Sequence, residues 1–361
     1  KKSPIPSISF LRQIRIHFFS LSLKIARQYF YFLLVQIITM VRSISILFVV
    51  LLFSCREEQP PCESFTFNGI NTEVQDPYST FDRVDSLKGK VIEVELKSVH
   101  LDEARKITIY EPPNYDSNLA YGVLFLTDGE ATAGIVREFE YLITEKKMEP
   151  IIIVGIHNRE VTYKNSVFGD YVYDFRNLEF MKDETIDRMT RQQWMDSRSG
   201  KSVTYYVEDI ADLEDLSKDS VLLNLVANRY SRFCSFINEE VITYVKDRYS
   251  ITDDRSKWTL GGLSSGGGFV FSYSCDYHFF ENIIVMSPAG PGDKYDFSKS
   301  TSNYFVAAGN QEVFHKESLE YLPTFDSLQI PYIHQTFEAG HDWDLWLTFY
   351  LQSCEKIYCT K

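Results

Sequence analysis

A serine lies in the glycine-rich stretch Gly261-Gly262-Leu263-Ser264-Ser265-Gly266-Gly267-Gly268, which contains the pattern Gly-x-Ser-x-Gly centred on Ser264. The residues before it, Trp258 to Leu260, resemble the end of a buried strand, and Phe269 to Phe271 continue as an apolar helix start. A strand, a tight turn and a helix are the context that a nucleophile elbow requires. Such a turn strains the serine backbone and leaves room only for glycine on either side. The pattern therefore predicts an exposed, nucleophilic hydroxyl at Ser264.

A serine hydroxyl is a poor nucleophile near neutral pH unless a histidine within hydrogen-bond reach accepts its proton. His341 directly follows the last predicted strand, in Glu-Ala-Gly-His-Asp-Trp, and is the predicted base. The order serine, acid, histidine places the acid after the penultimate strand. That strand is followed by Gly-Asn-Gln-Glu, so Glu312 is the predicted acid. Three aspartates remain open as alternatives for this role: Asp326, Asp342 and Asp344.

Attack on an acyl carbon also needs backbone N–H groups that stabilise the oxyanion. The N–H of Ser265, directly after the nucleophile, is one predicted donor. The second is expected from the loop after the third predicted strand, at Gly129 or Glu130. These groups supply nucleophile, base and charge stabilisation, so we expect no metal and no cofactor. The cysteine spacing also matches no zinc pattern.

Eight short segments have the composition of strands. They are Val91–Leu96, Lys106–Tyr110, Val123–Thr127, Ile151–Ile156, Trp258–Gly262, Ile283–Ser287, Tyr304–Ala308 and Tyr332–Glu338. The first two alternate apolar and polar residues, and several later ones are continuous apolar runs, typical of strands buried on both faces of a parallel sheet. This predicts an α/β-hydrolase fold with a mostly parallel, eight-stranded, doubly wound sheet.

The domain is predicted to span residues 90–353, with a C-terminal tail at 354–361. After the fourth predicted strand, residues 160–228 form an insertion that is longer than one crossover helix needs. It combines many aromatic residues with an acidic run. Long insertions of this kind often act as lids or substrate-binding caps, and a packed accessory subdomain is the alternative. A helix is predicted from Arg229 to Tyr249.

The N-terminal part predicts export. Met40 is the first methionine, and residues 40–54 combine a short basic start with an apolar segment, as a secretory signal peptide does. Leu52-Phe53-Ser54-Cys55 resembles the lipobox of bacterial lipoproteins, which implies lipidation of Cys55 and a lipid-anchored protein of the bacterial cell envelope. Residues 1–39 are interpreted as an upstream mis-translation that results from a mis-called start, and residues 55–89 as a polar tether. A membrane helix near residues 28–53 is the alternative.

The charge excludes one class of partner. The formal net charge is −13, although residues 1–54 contribute seven Lys or Arg and no Asp or Glu. The rest of the chain is therefore strongly acidic and would repel nucleic acid. Five cysteines follow Cys55. A small terminal loop closed by Cys354 and Cys359 is one possibility in an oxidising compartment, and buried or unpaired thiols are the other.

Several local motifs, in order along the chain, resemble those of the putative esterase family of α/β hydrolases. The family includes siderophore, feruloyl and acetylxylan esterases and S-formylglutathione hydrolase. The matching segments are Glu95–Ser98 with Arg105–Tyr115, Val123–Gly129, Ile151–Arg159, Phe236–Tyr249, Ser287–Ala289 and Gly340–Trp343. The resemblance covers about residues 90 to 350.

Together with the signal-like N-terminal sequence, this resemblance implies a secreted, lipid-anchored serine esterase that acts on polysaccharide acetyl or feruloyl esters or on a siderophore lactone. It also implies substrate contacts at Arg159, where an ordinary loop salt bridge is the alternative, and at Trp343. Two other functions remain open: a non-catalytic surface lipoprotein that binds glycans or iron chelates, and an acyltransferase. A non-catalytic relative would be expected to lose the serine, the histidine or the glycines, and this chain keeps all three.

Overall fold

The structure is a computed structural model that describes Gln36 and residues 69–76, 82–158, 160–165, 169–174, 176–180, 182, 228–289 and 295–359. The chain divides into two compact units, Lys1–Pro61 and Cys62–Lys361, and the elements below all belong to the second. The predicted signal peptide and Cys55 lie outside the described residues. No helix in the described part of the chain is long and apolar enough to cross a bilayer.

Eleven strands are formed by the described residues. They are β1 (Gly69–Gln75), β2 (Lys90–Ser98), β3 (Glu103–Glu111), β4 (Gly122–Leu126), β5 (Ile151–Ile156), β6 (Glu160–Asn165), β7 (Gly169–Asp174), β8 (Trp258–Leu263), β9 (Asn282–Met286), β10 (Asn303–Gly309) and β11 (Tyr332–Phe337). Nine of them form one sheet in the order β1-β11-β10-β9-β8-β4-β5-β3-β2. Within this sheet, only the pairings β2–β3 and β3–β5 are antiparallel. The predicted mostly parallel α/β fold is confirmed.

The main sheet has nine strands, one more than the eight predicted. Within the segment predicted as a tether, Gly69–Gln75 forms β1 and pairs in parallel with β11, for example Gly69 with Ile333. An edge strand is paired on one side only, so it does not need the continuous apolar run that marks a central parallel strand. The sequence Gly-Ile-Asn-Thr-Glu-Val-Gln has no such run, which is why composition alone suggested a linker.

Helices cover both faces of the sheet. They are α1 (Thr132–Thr144), α2 (Arg176–Phe180), α3 (Arg229–Ser235), α4 (Ile242–Arg248), α5 (Ser265–Asp276), α6 (His315–Glu320), α7 (Leu322–Leu328) and α8 (Trp343–Ile357). A π-helical turn, Phe236–Val241, joins α3 to α4 and completes the helix predicted there. Residues alternate between the two faces along a strand. Val123 and Phe125 therefore belong to one apolar core, and Leu124 and Leu126 belong to the other.

The C-terminal tail begins later than predicted, because α8 continues to Ile357. Cys354 and Ile357 are buried on its apolar face, so this face extends the core beyond residue 353. Cys354 is buried and forms no disulfide, and the same holds for Cys234 and Cys275. Cys359 is disulfide-bonded. A Cys354–Cys359 loop is therefore not formed, and the alternative of buried thiols holds for three of the cysteines.

The insertion begins with an antiparallel hairpin of β6 and β7, followed by α2. Residues 183–227 lie outside the described part of the chain, so the prediction of a lid is not addressed there. A buried charged cluster joins α2 to the domain. The carboxylate of Glu179 accepts hydrogen bonds from Arg105 at 2.5 Å and from Arg229 at 2.7 Å, and Glu103 pairs with both arginines.

Candidate active site

Ser264 lies in a sharp turn between β8 and α5, with φ 55° and ψ −125°. A side chain at Gly262 would place its Cβ 2.2 Å from the carbonyl oxygen of Gly266, so the turn closes only with glycine there. The Ser264 N–H donates to the carbonyl of Met286 at 2.9 Å, and the Ser264 carbonyl accepts from Ala289 at 3.0 Å. These bonds tie the strained turn to the loop after β9.

Three of the predicted residues meet at this turn. The Nε2 atom of His341 lies 3.0 Å from Oγ of Ser264. On the other side of the imidazole, Nδ1 lies 2.5 Å from Oε2 of Glu312. With Nδ1–H donating to the carboxylate, Nε2 is the unprotonated nitrogen and can accept the serine proton. The arrangement is that of a serine, a base and an orienting acid.

Both carboxylate oxygens of Glu312 take part in hydrogen bonds. Its side chain is 1% exposed. Its second oxygen, Oε1, accepts hydrogen bonds from the Ser287 hydroxyl and the Gly309 N–H, each at 2.7 Å. The Ser287 hydroxyl oxygen in turn accepts from Nε1 of Trp346 at 2.9 Å. These donors hold the buried carboxylate of Glu312 in a fixed orientation.

Aromatic rings surround the histidine. The Phe314 ring lies 5.1 Å from the imidazole, and the Trp346 ring lies 4.8 Å from it at a steep angle. Trp343 packs edge-on against Trp346 at 6.0 Å and is 38% exposed. Trp343, predicted to contact the substrate, therefore lies at the surface and is separated from His341 by the Trp346 ring. We call the rings of Phe314, Trp343 and Trp346 the aromatic wall.

The loop expected to supply the second oxyanion donor lies beside the nucleophile. Gly129–Ala131 forms a short 3₁₀ turn, capped by Asp128 with φ 56°. A Cβ at Gly129 would lie 2.3 Å from the backbone carbon of Gly155, so the turn packs directly on β5. A Cβ at Gly266 would lie 2.4 Å from Oγ1 of Thr127. The start of α5, where Ser265 lies, is thus in contact with the end of β4.

Asp128 is the centre of a polar cluster in this loop. Arg176, at the start of α2, donates from Nε to Oδ1 of Asp128 at 2.5 Å and from Nη2 to Oδ2 at 2.9 Å. Nη2 of Arg176 also donates to the carbonyl of Leu263 at 3.3 Å. The Asn158 amide donates to Oδ1 of Asp128 at 2.6 Å, while the Asn158 backbone N–H donates to the side chain of Glu130.

Three residues at the site have a left-handed backbone conformation. Asp128, Ser264 and Ser287 all have positive φ without being glycine. They follow β4, β8 and β9, which are neighbours in the sheet. Such conformations cost free energy and persist only where the surroundings enforce them, which is common at active sites. The carboxyl ends of these three strands are also where an open α/β sheet places its ligands.

The alternative acids lie elsewhere. Asp342 caps α8 by accepting from the Leu345 N–H at 3.2 Å, and Asp326 accepts from the Tyr332 hydroxyl at 2.9 Å. Asp344 is exposed in the first turn of α8. Arg159 lies outside the described residues. The described part of the chain contains no group of three or more His, Cys, Asp or Glu that could hold a metal ion.

Sequence reasoning did not assign roles to Ser287, Trp346, Asp128 or Arg176. Ser287 and Asp128 carried a usable signal, because Ser287 is the last residue of one predicted strand and Asp128 directly follows another. Trp346 and Arg176 carried none, since their distance from Ser264 along the chain says nothing about their contacts in the folded protein.

Comparison with known proteins shows which family and which fold this chain resembles. The family model described as "Putative esterase" matches residues 98–191. No curated protein matches the chain in sequence. Among solved structures, the ferulic acid esterase of Anaeromyces mucronatus in complex with ferulic acid has a TM-score of 0.52 at 13% identity, over 79% of this chain and 97% of that one.

Two further structures are similar in fold. A ferulic acid esterase has a TM-score of 0.51 at 16% identity, over 76% of this chain and 99% of its own. The enterobactin esterase of Shigella flexneri has a TM-score of 0.50 at 13% identity, over 79% of this chain and 63% of its own. The chain thus has an α/β-hydrolase fold, and its resemblance to the putative esterase family is confirmed.

Proposed function

We propose that this protein is a serine esterase that hydrolyses carboxylic esters through an acyl-enzyme. The observation that carries the proposal is the continuous contact from Ser264 through His341 to Glu312, with distances of 3.0 Å and 2.5 Å. The family model and the fold of the neighbouring esterases support the same reaction class.

In the first half of the reaction, Oγ of Ser264 attacks the ester carbonyl carbon while its proton moves to Nε2 of His341. Glu312 stabilises the resulting imidazolium through Nδ1–H. The carbonyl oxygen becomes an oxyanion, which we assign to the N–H of Ser265 and to an N–H of Gly129 or Glu130. The imidazolium then protonates the leaving alcohol, the C–O ester bond breaks, and an acyl-serine remains.

In the second half, water replaces the alcohol. His341 takes a proton from the water, the hydroxide attacks the acyl carbon, and the serine oxygen leaves with the proton from Nε2. The products are a carboxylic acid and the regenerated serine. Removing one oxyanion donor from such a site typically costs about a hundred- to a thousandfold in kcat.

The aromatic wall around His341 supports an acyl or alcohol group that contains a ring. Aromatic side chains favour edge-to-face contacts with other rings at distances of roughly 5 Å. Two proteins of similar fold also support a ring-containing substrate, because one structure contains ferulic acid and another protein is an enterobactin esterase. Aryl and hydroxycinnamoyl esters are therefore the first substrates to test, followed by acetyl esters and catechol-bearing lactones.

We also propose that the protein is exported and anchored by a lipid on Cys55. The signal-like sequence of residues 40–54 supports export, and so does the disulfide-bonded Cys359, because disulfides persist in oxidising compartments. Growth with an alkyne-labelled fatty acid should label the wild-type protein and not the Cys55→Ala variant. Equal labelling of both would remove the anchor from the proposal.

The decisive experiment for catalysis uses a fluorophosphonate probe, which reacts with activated serines. We expect a single adduct by intact mass on the wild-type protein and none on Ser264→Ala, with similar far-UV circular dichroism for both. The same pair is then assayed with a short aryl ester, which only the wild type should turn over. A folded wild type that forms no adduct would favour the non-catalytic binding function.

A further inference from the structure

We infer that Arg176, which the insertion contributes, is a positioning residue for the oxyanion hole of the proposed esterase. Its guanidinium bridges the two loops that carry the proposed donors. On one side it binds the carboxylate of Asp128, which directly precedes Gly129. On the other side it binds the carbonyl of Leu263, two residues before Ser265. This inference rests on the proposed function.

The bridge depends on the shape of the guanidinium. Two parallel N–H donors grip both oxygens of Asp128 while a third donor reaches Leu263. Arginine presents its donors in a rigid planar fork, whereas lysine offers a single point charge. With the bridge in place, the end of β4 and the end of β8 keep one separation. This fixed separation sets the distance between the two proposed oxyanion donors, one in the loop after β4 and the other at Ser265.

The bridge also neutralises a charge. The Asp128 side chain is 16% exposed and the Arg176 side chain 21%, so water screens both only in part. An unpaired carboxylate on the residue before the Gly129 donor would oppose negative charge that develops on the substrate oxygen. Paired with Arg176, Asp128 holds the loop without imposing that penalty on the transition state.

The insertion is built to hold Arg176 in place. Arg176, Glu179 and Phe180 lie three and four residues apart on α2, and residues at this spacing share one face of a helix. Glu179 is completely buried between Arg105 and Arg229. The Phe180 ring is 3% exposed and lies 5.2 Å from the Arg176 guanidinium. The short helix α2 is therefore fixed in the core, and this places the Arg176 guanidinium against the turn that contains Ser264.

The test compares Arg176→Ala and Arg176→Lys with the wild type in steady-state hydrolysis of a soluble aryl ester. The matched control is Lys182→Met, because Lys182 also ties the base of the insertion to α5, through Asp276 at the far end from Ser264. We expect kcat to fall about ten- to a hundredfold in both Arg176 variants, somewhat less than for loss of a donor itself. KM and the melting temperature should stay near those of the control.

Chemical rescue separates positioning from a structural role. Guanidinium ion, at millimolar concentrations far below those that denature proteins, should restore part of the kcat of Arg176→Ala and leave Arg176→Lys and the control unchanged. Asp128→Asn should lower kcat similarly, and adding Arg176→Ala to it should cost little more, because both changes break one contact.

Three results would overturn the inference. The first is wild-type kcat in Arg176→Ala, and the second is a loss that appears in KM rather than kcat. The third is a loss that guanidinium does not relieve and that adds fully to the Asp128→Asn loss. A wild type that hydrolyses no ester and forms no fluorophosphonate adduct is a different result, because it rejects the proposed function itself.

Discussion

The two sides of Ser264 are held by different parts of the molecule. On the acid side, Glu312, Ser287 and Trp346 come from the loops after β9 and β10 and from α8, all parts of the hydrolase domain itself. On the oxyanion side, Asp128 follows β4, but the guanidinium that holds it comes from the insertion. The proposed proton-transfer groups are thus positioned from within the domain, and the proposed oxyanion loop is positioned partly by the insertion.

The two sides also differ in how their carboxylates are satisfied. Glu312 accepts from His341, from a hydroxyl and from a backbone N–H, and no other charged side chain is among these partners. Asp128 is paired with a full positive charge. The hydroxyl and the backbone N–H are neutral donors to Glu312, whereas the partner of Asp128 is the positively charged Arg176. In the proposed mechanism, Glu312 would thus stabilise a developing positive charge, whereas Asp128 would fix the position of a loop.

The largest expected effect is on the acid side. Glu312→Gln keeps the shape of the side chain but cannot stabilise the imidazolium or enforce the right tautomer. By analogy with other serine triads, kcat should fall about a thousand- to ten-thousandfold. The matched control is Glu338→Gln, an exposed carboxylate that contacts Asn310 and Gln311 instead. Wild-type kcat in Glu312→Gln would move the acid role to another residue, with Asp342 the first to test.

The next largest effect is expected on stability, at Glu179, which holds the helix that carries Arg176. Glu179→Gln removes the negative charge between two buried arginines, and breaking a buried ion pair typically costs about 3 kcal/mol or more. We expect the midpoint of urea unfolding to fall accordingly, with an unchanged m-value. Glu239→Gln, in an exposed pair with His100, serves as the control and should unfold like the wild type. An unchanged midpoint in Glu179→Gln would mean that α2 is held by apolar packing alone.

The smallest effect is expected at the outer end of the acid side. Trp346→Phe keeps a ring beside His341 but loses the indole N–H that donates to Ser287. The hydroxyl of Ser287 then orients Glu312 less firmly, and kcat should fall about three- to tenfold, which corresponds to one modest hydrogen bond. Ser287→Ala should cost slightly more, and the double variant should lose less than the two single losses combined. Full additivity would show that the two residues act independently.

Much of the site could be predicted from sequence, because its residues directly follow buried strands. The strands Trp258–Leu263, Asn303–Gly309 and Tyr332–Phe337 lie within a residue or two of their predicted bounds. Loops at the carboxyl ends of parallel strands meet at one edge of the sheet, so three strand ends bring Ser264, Glu312 and His341 together without knowledge of their side-chain contacts.

The rest depended on contacts that no local pattern encodes. The edge strand β1 has no apolar run to distinguish it from a linker. The Ser287–Trp346 hydrogen bond joins residues 59 positions apart, and the Arg176–Asp128 pair spans 48 positions. Residue types alone do not single out these partners among the other tryptophans and arginines in the chain. Only the packing of α2 and α8 on the sheet selects them.

The buried thiols affect what happens to the protein once it unfolds. Burial raises the pKa of Cys275 to about 12, and burial likewise raises the pKa of Cys354. The thiolate is the species that attacks a disulfide, so these sulfurs are inert while the fold is intact. Unfolding would release three thiols into a chain that already carries a disulfide-bonded Cys359, and exchange would follow. The lifetime of the native state, rather than the equilibrium between folded and unfolded chains, would then govern survival in an oxidising environment.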